Sequence, residues 1–285
     1  MVSRSSRRGA ARRPRKTTKV VSYSEKGGSG KSALVAGLLA AARKRKLRAF
    51  GVDLDPRATL TEELGIVDPE HDLNDLLYAD PNQPPVDATG IARQVLIPAG
   101  EGWDGVDIIP SGRALANRES DNSVIGLEFR LRLALQGVED DYDFGAFDVP
   151  ARSGGKLVVT ALTAATHVVL PAILDRDGQI GIQQAMNSIQ HVRATLNPDL
   201  QVVAIVPSIV PSIRTNINKA IAEDLAKEFK ELYRDDLVIP RHVVRQEVRF
   251  ARVPITDVTG SKEAAAISAV YGKILDLTLK GSNAA

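Results

Sequence analysis

The run Lys26-Gly27-Gly28-Ser29-Gly30-Lys31-Ser32 packs three glycines, two lysines and two hydroxyls into seven residues. Glycines let a backbone curl closely round an anion, so that several N–H groups converge on it. A lysine at the end of such a curl supplies a point charge for a phosphate, and a serine hydroxyl suits Mg²⁺, a hard cation that takes oxygen ligands. The strict pattern for this chemistry, G-x-x-x-x-G-K-[ST], requires glycine at position 25, where the chain has Glu25. The part that remains, GGxGKS, is specific when a strand precedes it and a helix follows, because the helix N-terminus then presents free N–H groups to the phosphate.

Three acids complete a reaction centre of this type. Phosphoryl transfer needs a Mg²⁺ held by oxygens and a group that orients the attacking water. Asp53, Asp55 and Asp148 each fall at the end of a β-like run. Taken singly, each is a cap or turn residue. Taken together, at strand ends that an open α/β sheet presents on one side, they point to an active site. The four histidines have no ligand spacing and read as structural or surface residues.

The elements that must position these groups follow from periodicity. Residues 19–24 read as a buried strand, and Ser32 to about Arg45 as a helix ending in the basic run Arg43-Lys44-Arg45-Lys46, which suits a helix C-terminus. Strands are expected at 48–52, 106–109, 144–148, 167–170, 202–206 and 237–239. Residues 60–92 read as short helices and loops broken at Pro69, Pro81, Pro84 and Pro85. Longer helices are expected over 113–136 (with a break near Asn122), 178–196, 216–233 and 262–279. Strands alternating with helices predict an α/β fold, a single doubly wound and mostly parallel sheet flanked by helices, over residues 19–280. Residues 281–285 read as a flexible end.

Composition narrows the class. The chain has 285 residues, 44% hydrophobic, and no cysteine, which excludes disulfides and cysteine-ligated zinc or iron–sulfur centres and fits a reducing cytoplasm. No apolar run is long enough to span a membrane, and the N-terminus has no secretory pattern. The net charge of +2 conceals an asymmetry. Arg4, Arg7, Arg8, Arg12, Arg13, Arg15, Lys16 and Lys19 precede any acid, and the other 29 basic residues face 35 acidic ones. Residues 1–18 read as a basic disordered tail, either simply solvated or gripping nucleic-acid phosphates without sequence preference.

Lys26, directly before the glycine pair, makes the loop resemble that of the deviant-Walker ATPases, the group that holds ParA and MinD. Further matches run over most of residues 19–258. Asp53-Leu54-Asp55-Pro56 with Thr59-Leu60-Thr61 resembles DxDPQGNLT. Asp148-Val149-Pro150 resembles D-x-P-P, and Val168-Val169-Leu170-Pro171 resembles the strand after it. Ser212 to Asn216 ends in the family's RTN, and Val238 to Val243 is similar to its IPRNV segment. The late matches favour ParA. The resemblance implies a plasmid or chromosome partition ATPase that uses ATP and Mg²⁺, is slow without its partner, and forms an ATP-dependent homodimer with Lys26 reaching the partner's nucleotide. It implies nucleotide contacts by Lys26, Gly27, Gly28, Ser29, Gly30, Lys31, Ser32 and Ala33, with Pro240 at the adenine. Ser32, Asp53 and Asp148 are expected near the metal, and Asp55 at the attacking water. Non-specific DNA would meet Arg214 and Arg241, with Arg249 a weaker candidate. A ParB-like centromere-binding protein would stimulate hydrolysis, and the protein would be cytoplasmic and nucleoid-associated, with no membrane role.

Departures from the pattern lie at Glu25 (usually Gln or Asn), Ser29, Ser32, Ala33 and Ala151, and in Ala165-Thr166-His167. None removes a phosphate or Mg²⁺ ligand, but they leave the hydrolysis rate open. Three other readings remain at this stage: a MinD-like membrane-surface positioning ATPase, a metabolic P-loop enzyme such as a ligase, and a nucleotide-binding DNA switch that barely hydrolyses. The first needs an amphipathic last helix with a basic face, whereas Ile267, Val270, Tyr271 and Ile274 look fit for docking onto the body.

Overall fold

The computed structural model describes residues 17–80, 83, 87–152 and 154–281. In chain order the elements are β1 (Thr18–Ser22), α1 (Lys31–Lys44), β2 (Ala49–Asp53), α2 (Thr59–Glu63), α3 (Leu73–Leu77), β3 (Ile97–Pro98), β4 (Val106–Ile109) and α4 (Leu127–Leu135). They continue as β5 (Phe144–Asp148), α5 (Lys156–Ala164), β6 (His167–Ala172), α6 (Arg176–Thr195), β7 (Gln201–Pro207), α7 (Asn216–Phe229), α8 (Val244–Ala251) and α9 (Lys262–Gly281).

The strands form one seven-stranded sheet in the order β3-β4-β2-β5-β1-β6-β7. All pairings are parallel except the short β3 against β4. β1, β2, β5 and β6 are buried at every residue, as expected of parallel strands covered on both faces. One face carries α1, α8 and α9, with Leu34, Leu38, Val248, Ile267 and Ile274 in its core. The other carries α3 to α7, with Leu131, Leu157, Ile182 and Leu225. α1 and α5 thus cover opposite faces, and the loops after β1 and β5 part to leave a crevice at the carboxyl edge, the usual ligand position in such sheets.

α9 docks on α1. A Cβ added at Gly37 would come within 2.3 Å of the Tyr271 ring, so glycine is what lets the two helices meet. Among the described residues no helix is long and apolar enough to cross a membrane.

The expected doubly wound sheet is present, with differences in detail. Thr18 already belongs to β1, and the Thr17 hydroxyl donates to the carbonyls of Glu139 and Tyr142 at 2.7 and 3.0 Å, so the fold begins inside the expected 1–18 tail. Residues 1–16 and 282–285 lie outside the described residues, as do Pro81, Pro84 and Pro85. Residues 237–239 do not form a strand. Ile239 donates to Pro207 and accepts from Val210, but proline at 211 and 240 removes the N–H groups a ladder would need, and an isolated Val210–Pro240 bridge is all that forms. The expected 113–136 helix is a 3₁₀ turn over Arg113–Glu119 followed by α4.

Candidate nucleotide-phosphate site

The glycine-rich run joins β1 to α1 at the carboxyl edge of the sheet. Gly28 and Gly30 take φ of 72° and 88°, in the left-handed region where a side chain is strained. Gly30 is the N-cap of α1 and supplies no side-chain cap, so the first N–H groups of the helix are left for a ligand. In contrast, α6 and α7 are capped by Asp175 and Thr215.

Register places the acids. Asp148 of β5 lies beside Ser22 of β1 on one side and Asp53 of β2 on the other. Both Asp148 and Asp53 are fully buried. Neither carboxylate oxygen of Asp148 has a hydrogen-bond partner. Burial raises its pKa well above the usual carboxylate range, and the nearby Asp53 charge raises it further; the Ser32 hydroxyl and Lys31 act the other way. A buried carboxylate with no partner is costly, and the cost is relieved by a bound cation. A Mg²⁺ between Asp148, the Ser32 hydroxyl and phosphate oxygens fits this donor set. Among the described residues no group of three or more His, Asp and Glu could cage a metal alone, so water and phosphate oxygens would complete the shell of a Mg²⁺ held here.

Asp53 is differently engaged. It accepts from the Asp55 N–H at 3.0 Å, and from the Thr61 N–H and hydroxyl, each at 2.8 Å. Burial nevertheless pushes its pKa up to about 6. Asp53 therefore ties the acid loop to α2. Asp55 accepts from the Arg57 N–H at 3.0 Å and lines the cavity.

Lys31 is buried, and its ammonium donates to the Lys26 carbonyl at 3.3 Å. Burial lowers its pKa, while Asp148 and Asp55 oppose the fall. Lys26 is turned away from its own loop. Its ammonium pairs with Asp177 on the first turn of α6 at 2.7 Å, which raises its pKa. Glu25 accepts from the Tyr23 and Ser188 hydroxyls at 2.8 and 3.0 Å, fixing the start of the loop to α6.

Residues Gly27 to Ala33, with Asp55, line a cavity of about 620 Å³. Its remaining wall includes Arg57, Glu119, Arg152, Arg245, Gln246 and Arg249, which sequence reasoning did not assign to the nucleotide. Arg57 follows the Asp53-Leu54-Asp55-Pro56 segment directly and Arg152 lies two residues after Pro150, so these two had a local signal. Arg245 reaches the site from a distant helix, with nothing in the sequence to announce it. Ile209 also lines the cavity with φ of 55°, an outlier for a β-branched residue. Pro240 is not on this wall; it is bridged to Val210 beside it.

Of the three arginines expected at DNA, Arg214 and Arg241 are exposed on adjoining segments, since Arg241 donates its N–H to the Val210 carbonyl at 2.8 Å. Neither forms an ion pair among the described residues. Arg249 stands apart. It lines the nucleotide cavity and lies 3.5 Å from Glu62.

Comparison with known proteins agrees with this geometry. A family model described as an AAA domain matches residues 17–202. The sporulation initiation inhibitor protein Soj of Bacillus subtilis is 31% identical over 237 residues, covering 81% of this chain and 87% of Soj. The cobyrinic acid a,c-diamide synthase of Mycobacterium smegmatis, solved with a bound ATP analogue and magnesium, superposes with a TM-score of 0.71 at 28% identity, covering 91% and 93% of the two chains. A single-residue variant of Cyanothece McdA, in complex with ATP, shares the fold at a TM-score of 0.76 and 15% identity, covering 93% and 96%. On its deviant lysine loop, the register of its acids and these matches, the chain belongs to the ParA/Soj/MinD family of P-loop partition ATPases.

Proposed function

We propose that the protein is a DNA-partition ATPase that binds ATP with Mg²⁺ in the 620 Å³ cavity, hydrolyses it to ADP and phosphate, and uses the cycle to control a homodimer that binds DNA without sequence preference. The observation that carries the ATPase reading is the buried, unpartnered Asp148 carboxylate set beside Lys31 and Ser32 at an uncapped helix N-terminus. Bound Mg²⁺ would offset charge on the β- and γ-phosphates. Lys31 holds a positive charge against the same phosphates, and the free N–H groups of α1 orient them. Asp55 has one oxygen held by Arg57 and offers the other to a water in line with the γ-phosphate. Asp53 keeps that loop in place.

In this reading Lys26 leaves Asp177 and meets the nucleotide of the partner subunit, and Arg214 and Arg241 of the dimer contact DNA phosphates. A ParB-like partner on the cargo accelerates hydrolysis and release, and the protein is found on the nucleoid. The similarity to Soj supports partition. The similarity to a chain described as a diamide synthase favours a second, metabolic reading, in which turnover depends on a small-molecule acid and DNA is irrelevant.

Analytical ultracentrifugation with DNA binding separates the two. The partition reading expects a dimer with MgATP and a monomer with MgADP. Lys26→Ala should still bind ATP and lose ATP-dependent DNA affinity by about tenfold or more. Arg214→Ala with Arg241→Ala should keep the dimer and reduce the salt slope of DNA binding by about one for each DNA phosphate no longer neutralised. A monomer under all conditions, with DNA affinity independent of nucleotide, would favour the metabolic reading.

A further inference from the structure

We propose that Glu63 and Arg245 are positioning residues that report the state of the nucleotide cavity to α8 and to the exposed surface at its end. This inference rests on the reading of the cavity as an ATP site.

Glu63 on α2 and Arg245 on α8 are 182 residues apart in the chain and form an ion pair at 2.7 Å. Their side chains are 2% and 13% exposed, and both line the cavity. A buried ion pair is a poor stabiliser compared with apolar packing, because both charges lose their hydration. Burial accordingly raises the Glu63 pKa, and Arg245 only partly reverses this. The interior around the pair is not fully satisfied either. Arg245 Nε and the hydroxyl of Tyr271, whose ring packs on Gly37 of α1, are buried without partners. A purely structural contact would be served better by apolar side chains. A contact that must be stiff, directional and responsive to charge in the cavity is served by this one.

The connection to the reaction centre is short. Asp53 grips Thr61 through two hydrogen bonds, and Glu62 and Glu63 are the next residues of α2. Any shift of the Asp53–Asp55 loop on nucleotide binding is thus passed to α2 as a unit. α2 then holds α8 twice, by Glu63 to Arg245 inside and by Glu62 to Arg249 at 3.5 Å outside. Beyond these contacts α8 ends in Arg249, Phe250 and Ala251, with Arg252 following it and Phe250 91% exposed.

The far end of α8 carries its own reporter. Trp103, the single tryptophan of the chain, is 1% exposed and donates its indole N–H to the Arg252 carbonyl at 3.0 Å. A change in the seat of α8 alters the environment of Trp103.

The test is Trp103 emission of the full-length protein at saturating MgATP and MgADP, with saturation established by calorimetry on the same samples. Wild type should shift its emission with MgATP, and Glu63→Gln should lose at least half of that shift while its nucleotide site is full. If Glu63→Gln does not fold, as judged by circular dichroism, Arg245→Lys takes its place. It keeps the charge but loses the planar fork, and the same loss is expected. A wild-type shift preserved in full in the folded variant overturns the coupling, as does a saturated wild type with no shift. No calorimetric binding of either nucleotide to wild type overturns the ATP-site reading itself, and the coupling with it.

Discussion

Asp148 is a residue whose stability and function pull in opposite directions. Its carboxylate is buried without a hydrogen bond, and its pKa and that of Asp53 are raised mainly by burial. A carboxyl with a higher pKa in the folded state than in the unfolded chain holds its proton longer when folded. Folding then binds protons between the two pKa values, and the contribution to stability falls as pH rises through that window, from about 4 to about 6 for Asp53. Asp148→Asn should therefore stabilise the nucleotide-free protein at pH 7.5, by roughly 1–3 kcal/mol, because the amide has no charge to desolvate and no proton to take up on folding. The advantage should shrink as pH falls toward the ordinary carboxylate range, where the unfolded chain takes up the proton as well. Thermal unfolding at several pH values checks this, and a variant less stable than wild type at pH 7.5 would refute it. With MgATP the order should reverse, since the variant lacks a charge for the metal, and MgATP affinity of wild type should weaken as pH falls, because protons compete with the metal for the raised-pKa carboxylate.

The residue scale was also where the sequence spoke most clearly. The glycine loop, Lys31 and the three acids are local in sequence or mark strand ends, so type and spacing suffice to find them. The structure brings Asp53, Asp55 and Asp148 to one edge with Lys31 and Ser32, although it engages Asp53 with Thr61. Asp177 and Arg245 gave no signal, because each meets its partner across more than 150 residues of chain. Glu119, which accepts the Lys156 N–H at 2.8 Å and so caps α5, gave no signal either, because its partner lies in another segment 37 residues on.

At the scale of elements, the central strands and α1, α6, α7 and α9 were legible because their apolar periods are long. α5 was not, since nearly all its side chains are buried and its Val-Val-Thr run carries no one-sided helical period. α8 is only eight residues long, with two buried valines four apart. β3 has two residues and depends wholly on β4. The close approach of α1 and α9 yields a sign test. Helix propensity alone predicts that Gly37→Ala stabilises the protein by about 1 kcal/mol. The 2.3 Å approach of a Cβ to the Tyr271 ring predicts a loss of about 1–3 kcal/mol, the usual cost of overpacking. A lowered melting temperature supports the packing account, and a raised one would show that α9 yields freely.

At the scale of the molecule, two basic features are far apart in the sequence. Residues 1–16 precede β1 in the chain, whereas Arg214 and Arg241 follow β7. Polyanion attraction by the first feature owes nothing to the nucleotide. A switch built on the second must depend on it. The most direct test is DNA binding with ATP, ADP or no nucleotide, at low and moderate salt, for the full chain and for a chain lacking residues 1–16. The account predicts that binding requires MgATP and survives removal of those residues. Binding that ignores nucleotide and disappears with residues 1–16 would contradict it.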